Sequence, residues 1–72
     1  MNSMEKLNNL FSYIIYFNKY AKPKLINSDK NYYYFNINGG YIKEISKTYL
    51  NDSDRLELIL EAKRILNNYR AI

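Results

Sequence analysis

Asp52, Asp54, Glu57 and Glu61 are the only clustered carboxylates in the 72-residue chain. Paired carboxylates can divide acid and base work, and their oxygens can hold Mg²⁺ or Ca²⁺. These four lie where a helix is expected to begin, and acids there stabilise the positive end of the helix dipole. Their spacing does not fit an EF-hand calcium loop. The hydroxyls of Ser3, Ser12, Ser28, Ser46, Thr48 and Ser53 stand in no nucleophile motif. Gly39-Gly40 lacks the Lys-Ser/Thr that follows a phosphate-binding loop and falls between two strand-like runs. The chain has no Cys and no His, which excludes disulfides, Cys/His zinc sites, a Cys nucleophile and a His base. The expectation is a protein that is not an enzyme, with no catalytic residue, no metal site and no cofactor.

A second set of residues has binding chemistry. Tyr32, Tyr33, Tyr34, Phe35 and Tyr41 are interleaved with Lys30, Lys43 and Lys47. Aromatic rings stack on bases for about 1–3 kcal/mol each while lysines track phosphates. The same residues suit a protein interface, in which Tyr and Phe fill the centre and Lys forms a rim. They also suit the core of a very small domain. The candidate partner-binding residues are Tyr32, Tyr34, Tyr41, Lys30, Lys43 and Lys47. A neighbouring basic loop holds Lys19, Lys22 and Lys24.

Charge and composition qualify that set. The net charge is +4, from 11 basic and 7 acidic residues, and all of it lies in residues 19–47. Such a segment can meet phosphate or an acidic protein surface, or can simply keep a loop solvated. Asn, Ile, Tyr and Lys together make up 37 of the 72 residues. An AT-rich genome over-uses these four, so Tyr and Lys richness speaks less strongly for nucleic-acid binding than it otherwise would.

The elements that must position these residues read as helix, hairpin, helix. Residues 3–20 carry Met4, Leu7, Leu10, Phe11, Ile14 and Phe17 at helical spacing, with Tyr13, Tyr16 and Tyr20 as a second stripe. Asn2 with Glu5 three residues later resembles a capping box, with Ser3 as a competing cap. A strand over 13–17 is the alternative, since that run is rich in strand formers. Residues 21–31 read as a connection in which Leu25-Ile26 forms a brief edge strand. Residues 32–37 and 41–45 read as a hairpin around Asn38-Gly39-Gly40, a sequence suited to positive φ. Two registers are open. A Gly39-Gly40 loop sets Ile37 opposite Ile42 and Tyr34 opposite Ile45. An Asn38-Gly39 loop sets Phe35 opposite Ile42 and Tyr34 opposite Lys43. Residues 53–70 read as a helix capped within Asn51-Asp52-Ser53, with Leu58, Ile59, Ala62, Ile65, Leu66 and Tyr69 as its apolar stripe, widened by Leu56 and Leu60.

A hairpin alone is unstable in water, so both helices are expected on one of its faces. The other face is then open and carries a row of tyrosines and lysines. The expected fold is a small α+β domain spanning residues 1–72: an N-terminal helix, a hairpin with a possible third short strand, and a C-terminal helix. No run approaches the ~20 apolar residues of a membrane span, and no signal peptide is evident. A cytoplasmic location and no membrane partner are expected. The expected function is non-catalytic binding that inhibits or modulates a protein partner, in the manner of small proteins of phages or mobile elements. The alternatives are a nucleic-acid-binding regulator using the basic, Tyr-rich hairpin, and a self-associating structural domain that forms a homodimer.

Overall fold

The computed structural model describes residues 2–70. The first helix, α1, spans Ser3–Phe17. The Asn2 side chain caps it by accepting from the Glu5 amide at 2.9 Å, and Leu7, Leu10 and Ile14 form its buried stripe. The helix ends three residues earlier than expected. Asn18 turns extended, and its side chain accepts from the Tyr20 amide at 3.1 Å. That local bond offers the backbone an alternative to another helical turn, a common role for Asn.

Three antiparallel strands follow in sheet order: β1 (Pro23–Ser28), β2 (Tyr32–Ile37) and β3 (Lys43–Ser46). The brief edge strand expected at Leu25-Ile26 is thus a full strand. The register of β1 on β2 slips after Leu25, so that Leu25 lies opposite Phe35 and Asn27 opposite Tyr34. Ile26 is the extra residue of this bulge and is exposed.

Neither expected hairpin register occurs: Phe35 pairs with Lys43, Tyr34 with Glu44 and Tyr33 with Ile45. Asn38 (φ 53°) and Gly39 (φ 75°) both take the left-handed conformation, and the Gly40 amide returns to the Ile37 carbonyl at 3.0 Å. That is a tight Asn-Gly turn. From Ile37 to Phe35 is two residues, whereas from Gly40 to Lys43 is three, so one extra residue sits on the return side. The insertion exchanges the faces of β3. Without it Glu44 would lie opposite Tyr33 in the core. With it Ile45 takes that place, and Tyr41 and Ile42 are left in an exposed loop.

A short helix that was not expected precedes the last one. Ser46 caps α2 (Lys47–Asp52) by accepting from the Tyr49 amide at 3.2 Å. The chain breaks at Ser53, whose hydroxyl donates to the Tyr49 carbonyl at 2.7 Å. The next helix, α3, spans Arg55–Arg70. Its cap is Asp54, not a residue of the expected Asn51–Ser53 triplet. The Asp54 carboxylate accepts from the Glu57 amide at 2.8 Å, and the Glu57 carboxylate accepts from the Asp54 amide at 3.0 Å. This reciprocal pair satisfies two of the amides that a helix start leaves unpaired.

The resulting α+β fold covers one sheet face. Tyr33, Phe35 and Ile37 alternate inward from β2 and meet Leu7, Leu10 and Ile14 of α1, Leu50 of α2, and Leu58, Ala62, Ile65 and Leu66 of α3. Phe11 closes on Phe35 edge to face, with ring centres 5.2 Å apart. The Tyr33 hydroxyl reaches Ser3 Oγ at 2.7 Å, so this buried ring keeps a partner for its polar end. Among the described residues no buried side-chain nitrogen or oxygen lacks a hydrogen bond, and no helix is long and apolar enough to cross a membrane.

Candidate functional site

The open sheet face is smaller and less basic than the sequence implied. It carries Tyr32, Tyr34 and Asn36 of β2, Lys24 of β1 and Glu44 of β3. The Tyr32 and Tyr34 rings lie 6.4 Å apart. Asp29, in the turn between β1 and β2, accepts from the amides of Asn31 (2.9 Å) and Tyr32 (2.8 Å) and from the Tyr34 hydroxyl (2.6 Å). The Tyr34 bond, then the two amides, holds the Asp29 carboxyl below its usual range. The same bond pushes the Tyr34 phenol up to about 12. The turn thus holds Tyr34 by its hydroxyl and Tyr32 by its backbone amide.

Two of the expected lysines lie elsewhere, because the extra residue in the hairpin reversed the faces of β3. Lys43, opposite Phe35, projects toward the helix side and lines a shallow depression with Glu61, Arg64 and Asn68. Lys47 begins α2 and stands over the buried Tyr33 ring at 4.8 Å. The expected open-face row of tyrosines and lysines is therefore divided between two faces. Lys30 is exposed in the β1–β2 turn, and Tyr41 is three-quarters exposed in the hairpin loop. In the basic loop, Lys19 lies over the Tyr20 ring at 5.4 Å, and Lys22 is joined through its backbone to Asn38. Lys24 alone of that trio reaches the open sheet face.

Of the clustered carboxylates, Asp54, Glu57 and Glu61 are engaged structurally. Asp54 and Glu57 form the α3 cap. Glu61 takes a 2.8 Å bond from Arg64 and a 3.1 Å bond from the Tyr49 hydroxyl. Burial, followed by the Glu61 charge, pushes the Tyr49 phenol up. Among the described residues no group of acids is gathered as a metal site would require.

An exposed, largely apolar groove lies on the seam between α1 and α3. The two helices run side by side in the same direction: Lys6 Nζ donates to the Ser53 carbonyl at one end, and Lys63 Nζ stands 5.1 Å above the Phe17 ring at the other. Between these contacts the seam opens into a groove of about 460 Å³ lined by Tyr13, Tyr16, Phe17, Arg55 and Ile59. A second hollow toward Lys6 shares Tyr13 and Arg55, so the groove continues along the seam. Tyr16, on the rim of the groove, is 81% exposed, while Leu56 and Leu60 are exposed on α3 outside its lining. Sequence reasoning had Tyr13 and Tyr16 in one stripe and Ile59 in another, but assigned neither a binding role. Two apolar stripes on separate helices signal a surface only once the helices are known to be neighbours.

Comparison with protein-family models, with curated proteins and with solved structures finds no match to this chain.

Proposed function

We propose that this protein is a non-catalytic binding domain that inhibits or modulates a protein partner, acting in the cytoplasm in the manner of small proteins of phages or mobile elements. The observation that carries this reading is the exposed aromatic and aliphatic seam of α1 and α3. Scattered surface apolar residues are ordinary, but a contiguous patch rimmed by polar groups marks an interaction surface. The exposed parts of Tyr13, Tyr16, Phe17 and Ile59 leave water only when something covers the groove, and burying apolar area is the main drive for protein association. The small core adds to the argument. A domain of this size gains only about 3–5 kcal/mol from its own core, so leaving large apolar side chains outside it calls for a role.

The test is site-directed photo-crosslinking. A benzoylphenylalanine replaces Tyr16 in one variant and Tyr32 in another, and each is irradiated in an extract of the source cells. One discrete protein adduct at Tyr16, absent at Tyr32 and lost on Ile59→Glu, is the expected result. Adducts at Tyr32 alone would return the site to the open sheet face. A companion anisotropy series with labelled DNA and RNA addresses the nucleic-acid reading. Binding that falls steeply with salt, by about 0.9 log units per log unit of salt for each phosphate contacted on duplex DNA, would replace the protein-binding reading.

A further inference from the structure

The seam groove has a chemical polarity that narrows its occupant. Its floor is aromatic and aliphatic, and its charged neighbours are cations: Arg55 at the centre, Lys6 toward one end and Lys63 at the other. No acidic residue lines either stretch of it. The only ion pair among the described residues joins Arg64 to Glu61 on a different side of α3, which leaves Arg55 without a carboxylate. Resting on the protein-binding reading above, we infer that the groove accepts an amphipathic helix of a partner protein, with apolar residues facing Phe17 and Ile59 and carboxylates meeting Arg55 and Lys63.

Three physical points lead there. First, a trough between two helices lying side by side has the shape into which a third helix packs its side-chain ridges. Arg55 and Lys63 are eight residues apart on α3, about 12 Å at 1.5 Å per residue, which matches carboxylates two helical turns apart. Second, a helix satisfies its own backbone hydrogen bonds. An extended segment would need partners from the groove, whose lining is mostly apolar and whose Ser12 hydroxyl already donates to the Asn8 carbonyl at 3.0 Å. Third, charge selects the partner. A second copy seated on this seam would bring Arg55 and Lys63 against their own equivalents, and apposed like charges are costly at an interface. A helix bearing Asp or Glu gains where a second copy loses.

The test uses fluorescein-labelled peptides of about 18 residues, or five turns. One has leucines on one face and glutamates beside them. A second keeps the leucines and replaces glutamate by lysine. A third is the glutamate peptide with a central proline that breaks the helix. Anisotropy titrations against the full chain are expected to show the glutamate helix binding tighter than the lysine helix by roughly tenfold or more. The double variant Arg55→Glu/Lys63→Glu is expected to reverse that order, with its circular dichroism unchanged. NMR shift changes on adding the glutamate peptide should map to α1 and α3.

Equal binding of the glutamate and lysine peptides would overturn the charge assignment. Equal binding of the proline peptide would overturn the helical one. Concentration-dependent dimerisation abolished by Ile59→Glu would give the groove to a second copy, and labelled DNA that competes for it would give it to nucleic acid. Either result overturns the proposal. If these fail while Tyr16 still crosslinks to a protein, the protein-binding reading stands and only the acidic helix falls. If Tyr16 does not crosslink either, both fall.

Discussion

The Tyr34 hydroxyl donates a 2.6 Å hydrogen bond to Asp29 Oδ2, linking the open face of β2 to the turn that precedes it. The bond stabilises ionised Asp29 and protonated Tyr34 together, so each group resists leaving that state. Asp29 is held below its ordinary 3.8, and its stabilising contribution is complete above that pH and lost as pH falls through the lowered folded value. Tyr34 is raised from 10.0 to about 12, and its contribution is complete below pH 10 and lost as pH rises toward 12. An alkaline titration followed by tyrosinate absorbance should show a late phase near pH 12 that belongs to Tyr34. In Asp29→Asn that phase is expected to move to lower pH, and a phase that did not move would refute the assignment.

Asp54 and Glu57 cap α3 reciprocally. Removing an N-cap side chain costs about 0.5–2 kcal/mol, a substantial fraction of the stability of so small a domain. Asp54→Ala is expected to lower the urea midpoint by the corresponding amount, and Asp54→Ser to recover most of it. The equivalent change at the expected cap, Asp52→Ala, should shift the midpoint far less.

Asn38 is both a turn residue and a clamp. Its backbone is left-handed at φ 53°. Its side chain accepts from the Lys22 amide at 2.8 Å and donates to the Tyr20 carbonyl and the Tyr69 hydroxyl, each at 3.2 Å. Asn38→Gly keeps the conformation and loses the clamp, whereas Asn38→Ala loses both. Melting temperatures should fall in the order wild type, Asn38→Gly, Asn38→Ala. Equal values for the two variants would mean that the backbone conformation contributes nothing.

Leu10 is fully buried between the sheet and the helices. Truncating such a side chain costs about 2–5 kcal/mol, close to the whole net stability available to a chain this short. Leu10→Ala is expected to be largely unfolded at 25 °C by circular dichroism. Leu60→Ala, on the exposed side of α3, should melt within a few degrees of wild type.

The helices and the hairpin were legible because their signals are local. Helical spacing in residues 3–17 and 55–69, the Asn2 cap, and the Asn38-Gly39 turn each depend on neighbours within a few residues. α2 was missed because its six residues include Thr48, Tyr49 and Asn51, which favour helix only weakly. It forms around the Ser46 cap and the burial of Leu50, which is a tertiary gain.

The sequence alone determined the α+β class, the absence of Cys and His chemistry, and the excess of positive charge in the middle segment. The tertiary structure decided which residues share a surface. A single extra residue between Gly40 and Lys43 sent Lys43 to the helix side, away from Tyr32 and Tyr34, and brought Ile45 into the core. In a strand with aromatics on both faces, alternation fits either choice, and only packing against the helices selects one. The seam groove was hidden for the same kind of reason. Phe17 and Lys63 stand 46 residues apart in the chain, and only the side-by-side packing of α1 and α3 sets the ammonium 5.1 Å from the ring.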